Sequence, residues 1–284
     1  MRVELNSSML YNTNGRMSIN CIFMRRHRKI FNKILPINKM IPNVITLLSL
    51  FSGMVQIKFA LAHRWEAVVA CVLVSALLDA SDGRLARMLH SCSRFGAELD
   101  SLVDFAAFGI APAISVYLFS LHELGSLGWV TAVLFAICMC LRLARFNTMD
   151  IERVRTPIST KFFTGVPAPA GAVLIEFPII LFNAFDDSMF ANAKFGMVVA
   201  LITGLLCVST LPTPSIKKAH LKRGQFIPFL LIVSVIVAVA FIYTWHTLSV
   251  AIVIYLFSIF VCCRKAKKAF NVQINEQTVQ KNAK

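Results

Sequence analysis

The sequence predicts an all-α, polytopic membrane protein of about eight transmembrane helices, and three observations carry that prediction. Hydrophobic residues make up 57% of the 284 positions and charged residues only 15%, whereas a soluble domain is nearer half apolar and a quarter charged. Apolar stretches of membrane-spanning length, roughly 20 residues, recur from one end of the chain to the other. The basic residues fall in bands between those stretches.

Taken in order, spans are expected near 42–62, 66–88, 99–121, 125–146, 168–185, 190–211, 226–245 and 247–263. Residues 1–40 carry Asn, Ser and a basic run at 25–29 without a continuous apolar core, which predicts a basic cytoplasmic arm and not a cleaved signal. Residues 41–264 form the transmembrane domain, and 265–284 a polar cytoplasmic tail with no periodic apolar face, expected to lack order. Lys and Arg number 29 against 14 Asp and Glu, a net +15 that alone would suggest nucleic acid. Distribution excludes that reading. With the N-terminus cytoplasmic, every basic residue but Lys58, Arg64 and Lys194 falls on the cytoplasmic side, so both termini are expected inside and the charge serves topology and anionic headgroups. The eight cysteines are scattered, with no metal-ligand spacing, and read as small apolar fillers.

One segment breaks the apolar pattern with chemistry. Asp79, Asp82, Gly83, Ala86 and Arg87 are followed, after eight residues, by Gly96, Asp100 and Asp104, across the cytoplasmic ends of spans two and three. At about 100° per residue the first five share an arc of about 140°, and the last three an arc of about 80°. Two neighbouring helices can thus each present two carboxylates to one cleft, with small residues leaving room for a ligand. Four carboxylates at the hydrocarbon edge repel one another and resist desolvation unless divalent cations neutralise them. An all-oxygen donor set favours Mg²⁺ or Mn²⁺ over zinc. Helix-end carboxylates paired with Arg84, Arg87 and Arg94 are the plainer alternative, which four at this spacing argue against. The position of the acids, at one membrane face and not at the midplane of broken helices, argues against a transporter or scaffold.

The pattern D-x-x-D-G-x-x-A-R-x8-G-x3-D-x3-D resembles that of the CDP-alcohol phosphatidyltransferases at every fixed position from Asp79 to Asp104. The resemblance implies a bundle of that family's type in a cell membrane, as in the bacterial inner membrane, with the active site cytoplasmic. It implies transfer of a phosphatidyl group from CDP-diacylglycerol to an alcohol, with release of CMP. Asp79, Asp82, Asp100 and Asp104 become ligands to two ions of Mg²⁺ or Mn²⁺, and Asp104 also the general base. Asp82, Gly83, Ala86, Arg87 and Gly96 become the CDP site, joined by Asn43 and Thr46, which resemble the family's P-N-x-x-T opening of the first span. A homodimer is a further implication.

Two further segments narrow the acceptor towards L-serine, giving phosphatidylserine. Arg142, Arg145 and Asn147 lie in a stretch similar to that of the serine-accepting branch, and the two arginines, three apart on one helix face, could clamp a carboxylate. Gly165 and Pro167 belong to a stretch similar to that branch's F-x-G-L-P-x-P-A, with Val166 for Leu. The same transfer to glycerol 3-phosphate or inositol is the alternative.

Overall fold

The computed structural model describes residues 40–152, 163–209 and 242–282 apart from 90 and 92, together with 212, 213, 231, 232, 234, 235 and 238–240. Helix α1 spans Ile41–Leu61, with Pro42 in its first turn, where a missing N–H costs nothing. Its hydrophobicity is inverted relative to a soluble helix. The buried stripe is Thr46, Ser49, Ser52, Gly53, Gln56 and Ala60, while Leu47, Leu48, Phe51 and Met54 face outward. In lipid that is the stable arrangement, because hydrocarbon takes the apolar face and helices associate through small and hydrogen-bonding residues.

Helix α2, Trp65–Met88, packs antiparallel along this stripe. Ser49 Oγ donates to the Ser75 carbonyl at 3.1 Å, Ser75 Oγ to the Ser49 carbonyl at 3.2 Å, and Ser52 Oγ to the Cys71 carbonyl at 2.9 Å. After a short turn, Ser93 caps helix α3, Arg94–Asp104, by accepting from the Gly96 N–H at 3.0 Å. Without interruption the chain continues through a π-helical stretch, Phe105–Ile110, into α4, Ala111–Phe119. The stretch begins directly after Asp104 and lies against α1. A Cβ added at Gly53 would stand 2.9 Å from the Ala107 Cα. Gly53→Val is therefore expected to destabilise the fold by at least about 2 kcal/mol through overpacking, checked by thermal unfolding in detergent. An unchanged midpoint would show that α1 can move away from this contact.

Helix α5 covers Ser126–Glu152. The next apolar segment is broken in two, α6, Ala168–Ile175, and α7, Phe177–Phe185, bent by 48° at Glu176. Pro178 explains the break, since its ring lacks an N–H and crowds the carbonyl four residues back. Helix α8 covers Ala193–Val208 and α9 covers Thr244–Asn282. Strands β1, Phe163–Thr164, and β2, Pro212–Thr213, form a two-stranded antiparallel pair with Phe163 opposite Thr213. The interior is filled by Val68, Val69 and Val72 of α2, Phe108, Phe135 and Met139, and Ile175, Ile179 and Ile180.

The chain is an integral membrane protein. Among the described residues four helices are long and apolar enough to cross a membrane, five with the bent pair α6–α7 taken as one span. Seven of the eight expected spans coincide with helices, and nine of the twenty residues of 226–245 lie outside the described residues. Helix α2 carries too many charges to pass as a span on composition, and α8 is only 16 residues long. The tail expected to lack order continues α9 to Asn282 instead. No Pro or Gly occurs between 244 and 284, so nothing in the backbone chemistry stops the helix. Residues 1–39, with the basic arm, lie outside the described residues.

Candidate active site

Three helix ends converge at one edge of the bundle. Helix α1 brings Asn43 and Thr46, α2 brings Asp79, Asp82, Gly83 and Ala86, and α3 brings Gly96, Asp100 and Asp104. Asp79, Asp82 and Asp100 each place a carboxylate oxygen within 4.8 Å of the others. Asp104 stands within hydrogen-bonding reach of Asp79, so all four acids share one cluster. None of them forms an ion pair with Arg84, Arg87 or Arg94 among the described residues, which removes the plainer alternative of capped surface carboxylates. The cation whose charge reaches Asp79 and Asp104 is Arg142 of α5.

Asp82, only 4% exposed, is fixed by the Thr46 hydroxyl, which donates to its Oδ2 at 2.6 Å. That bond ties α1 to the metal-ligand candidates. Beside it lies a cavity of about 170 Å³ lined by Pro42, Asn43, Thr46, Asp82, Gly83, Ala86, Ser91, Ser93, Gly96, Ala97 and Asp100. Every residue expected at the nucleotide site lines it except Arg87, which is exposed and donates from Nε to the Gly83 carbonyl at 3.0 Å. A Cβ at Gly83 would meet nothing within 4 Å, whereas one at Gly96 would stand 3.1 Å from Asn43 Oδ1 and 3.2 Å from Ser93 Oγ. Gly83 thus borders open space and Gly96 permits close packing of α3 on α1.

The expected acceptor residues divide into two groups. Arg142 is 7% exposed, donates from Nε to the Val166 carbonyl at 2.6 Å and lies over the Phe146 ring at 5.3 Å. Its terminal nitrogens have no protein acceptor among the described residues. Arg145, in contrast, donates to the carbonyls of Val208 and Ser209 at 2.8 and 3.2 Å, capping the C-terminus of α8. Gly165 has φ +82°, and a Cβ there would lie 2.8 Å from the Ser209 carbonyl oxygen, so only glycine fits. Pro167 leads into α6, and Asn147 Oδ1 accepts from Ser101 Oγ at 3.1 Å, tying α5 to α3.

Ser91, Ser93 and Ala97 of the cavity lining escape motif reading, although Ser93, three residues before Gly96, has the spacing of a helix cap. Tyr255 of α9 escapes it too. Its buried hydroxyl has no hydrogen-bond partner among the described residues, and the side chain lies within electrostatic range of Arg142 and Cys207.

The sequence profile described as CDP-alcohol phosphatidyltransferase matches residues 39–209. The chain belongs to that family. The match covers the aspartate cluster, the cavity and Arg142. Among curated relatives, the CDP-diacylglycerol–serine O-phosphatidyltransferase of Mycobacterium tuberculosis strain H37Rv is 34% identical over 77% of this chain and 76% of its own length. The enzyme of the same name from Helicobacter pylori strain 26695 is 35% identical over 78% of this chain and 91% of its own. That of Bacillus subtilis strain 168 is 32% identical over 66% and 98%. This member of the family keeps the carboxylate cluster in a geometry suited to a divalent cation, since three acids converge with oxygen donors only.

Proposed function

We propose that this protein transfers the phosphatidyl group of CDP-diacylglycerol to L-serine, yielding phosphatidylserine and CMP at the cytoplasmic face of the membrane. The observation that carries the reaction class is the convergence of Asp79, Asp82 and Asp100 beside a cavity whose open side is Gly83. The names of the relatives support serine, as does the buried Arg142, whose terminal nitrogens have no acceptor among the described residues. The four aspartates would hold two ions of Mg²⁺ or Mn²⁺, which would supply the positive charge that a diphosphate needs as its bridging bond opens. Asn43, Thr46, Gly83, Ala86 and Gly96 accommodate the CDP moiety. Asp104 takes the proton of the incoming hydroxyl, whose oxygen forms the new bond to the lipid phosphorus as the bond from that phosphorus to CMP breaks.

Arg142 offers its terminal nitrogens, which have no acceptor among the described residues, to the acceptor carboxylate, and Tyr255 lies within electrostatic range of it. Arg145 acts on the site indirectly, by holding the end of α8 against Gly165. The banding of the basic residues supports a cytoplasmic placement of both termini.

Membranes containing the full chain, supplied with CDP-diacylglycerol and Mg²⁺ or Mn²⁺, are expected to release CMP and form lipid product with L-serine. Glycerol 3-phosphate and inositol, which lack the α-carboxylate, are expected to support less than about a hundredth of that rate, the discrimination expected when a buried charged donor is left unpaired. Product with either alcohol and none with serine would overturn the acceptor assignment.

A further inference from the structure

The most buried acid of the described residues is far from the aspartate cluster. Glu176 is 0% exposed and sits at the break between α6 and α7, inside the apolar bundle. Gln56 of α1, also 0% exposed, donates from Nε2 to Glu176 Oε1 at 2.5 Å and to Ser115 Oγ of α4 at 3.1 Å. Among the described residues two atoms of this pair have no partner, Glu176 Oε2 and Gln56 Oε1. Both accept hydrogen bonds, and among the described residues no ion pair reaches Glu176. An isolated carboxylate in such a place is too costly to keep ionised.

A single proton resolves both deficits. Placed on Glu176 Oε2, it is donated to Gln56 Oε1, and the planar acid and planar amide then exchange two hydrogen bonds edge to edge. We infer that Glu176 is a neutral positioning residue which, paired reciprocally with Gln56, clamps α1 to the α6–α7 break and so sets the height of the nucleotide side of the active site against the acceptor side. The lever is direct. Gln56 lies ten residues along α1 from Thr46, about 15 Å in a helix, and Thr46 holds Asp82. Glu176 lies at the other end of α6 from Pro167, whose neighbour Val166 holds Arg142. A slip of α1 against α6 would therefore displace Asp82 relative to Arg142.

The test compares the full-length protein in its membrane with Glu176→Gln, Glu176→Leu and Gln56→Leu. An amide at 176 keeps one donor and one acceptor on the paired edge, so Glu176→Gln is expected to keep CMP release within about threefold of wild type. Glu176→Leu and Gln56→Leu orphan their partner and are expected to lose about tenfold or more and to lower the unfolding midpoint by about 5 °C. Infrared difference spectra between wild type and Glu176→Gln are expected to show the carbonyl stretch of a protonated carboxylic acid in the wild type alone. That measurement needs no activity, so it stands even if the proposed reaction fails. Absence of the band, or a loss in Glu176→Gln as large as in Glu176→Leu, would overturn the inference, because either would mean that position 176 works as a charge.

Discussion

Asp100→Asn is expected to lower CMP release by about three orders of magnitude or more while leaving the protein folded. Asp100 converges with Asp79 and Asp82 from a different helix, so losing it breaks that three-carboxylate set and leaves Asp104 as the one acid that α3 brings to the cluster. Charge stabilisation by a bound divalent cation accounts for several kcal/mol of barrier, and each 1.4 kcal/mol is tenfold in rate. The stability consequence has the opposite sign. Without a cation the cluster is a set of like charges, and the isosteric amide removes one of them. The cation-free variant is therefore expected to unfold at or above the wild-type midpoint. Mg²⁺ or Mn²⁺ should raise the midpoint of the wild type and not that of the variant, since a ligand stabilises only the state that binds it. Chelation should abolish wild-type turnover and restore nothing in the variant. Unchanged CMP release in Asp100→Asn would defeat the assignment of the cluster as the reaction centre.

The four aspartates are legible in the sequence because the two pairs are local. Spacings of three and four residues put each pair on one helix face, and eight residues between Arg87 and Gly96 leave room for just one turn between adjacent helices. The spans are legible from hydropathy for the same reason. What escapes is pairwise and distant. Gln56 and Glu176 are 120 residues apart, and each reads alone as a polar residue misplaced in an apolar run. The polar stripe of α1 is hidden from hydropathy averaging, because Leu47, Phe51 and Met54 on its lipid face outweigh Ser49, Ser52 and Gln56 on the other. Arg142 and Arg145 show the same limit. Helical spacing puts them on one face as a pair, but the end of α8 occupies Arg145, whereas Arg142 among the described residues donates only from Nε, to the Val166 carbonyl. No local signal could divide them, because the partner carbonyls of Arg145 lie more than sixty positions away in the sequence.

Gly83→Leu is expected to have the second largest effect, and to separate substrate binding from folding. The Cβ position of Gly83 is open to 4 Å on all sides outside its own helix, and the residue borders the cavity that Asn43, Thr46 and Asp100 close. A leucine there fills space that the protein itself does not use. Helix α2 should tolerate it, since leucine is a better helix former than glycine by nearly 1 kcal/mol. The nucleotide cannot occupy the same volume. The KM for CDP-diacylglycerol is therefore expected to rise about a hundredfold, with the unfolding midpoint unchanged or higher and the KM for serine little altered. Gly96→Leu should behave differently. Its side chain would collide with Asn43 and Ser93, so α3 must shift from α1 and carry Asp100 with it, which lowers kcat and stability together. Steady-state kinetics and thermal unfolding on the two variants read this contrast. If Gly83→Leu bound CDP-diacylglycerol like the wild type, the nucleotide would have to lie elsewhere than between α1, α2 and α3.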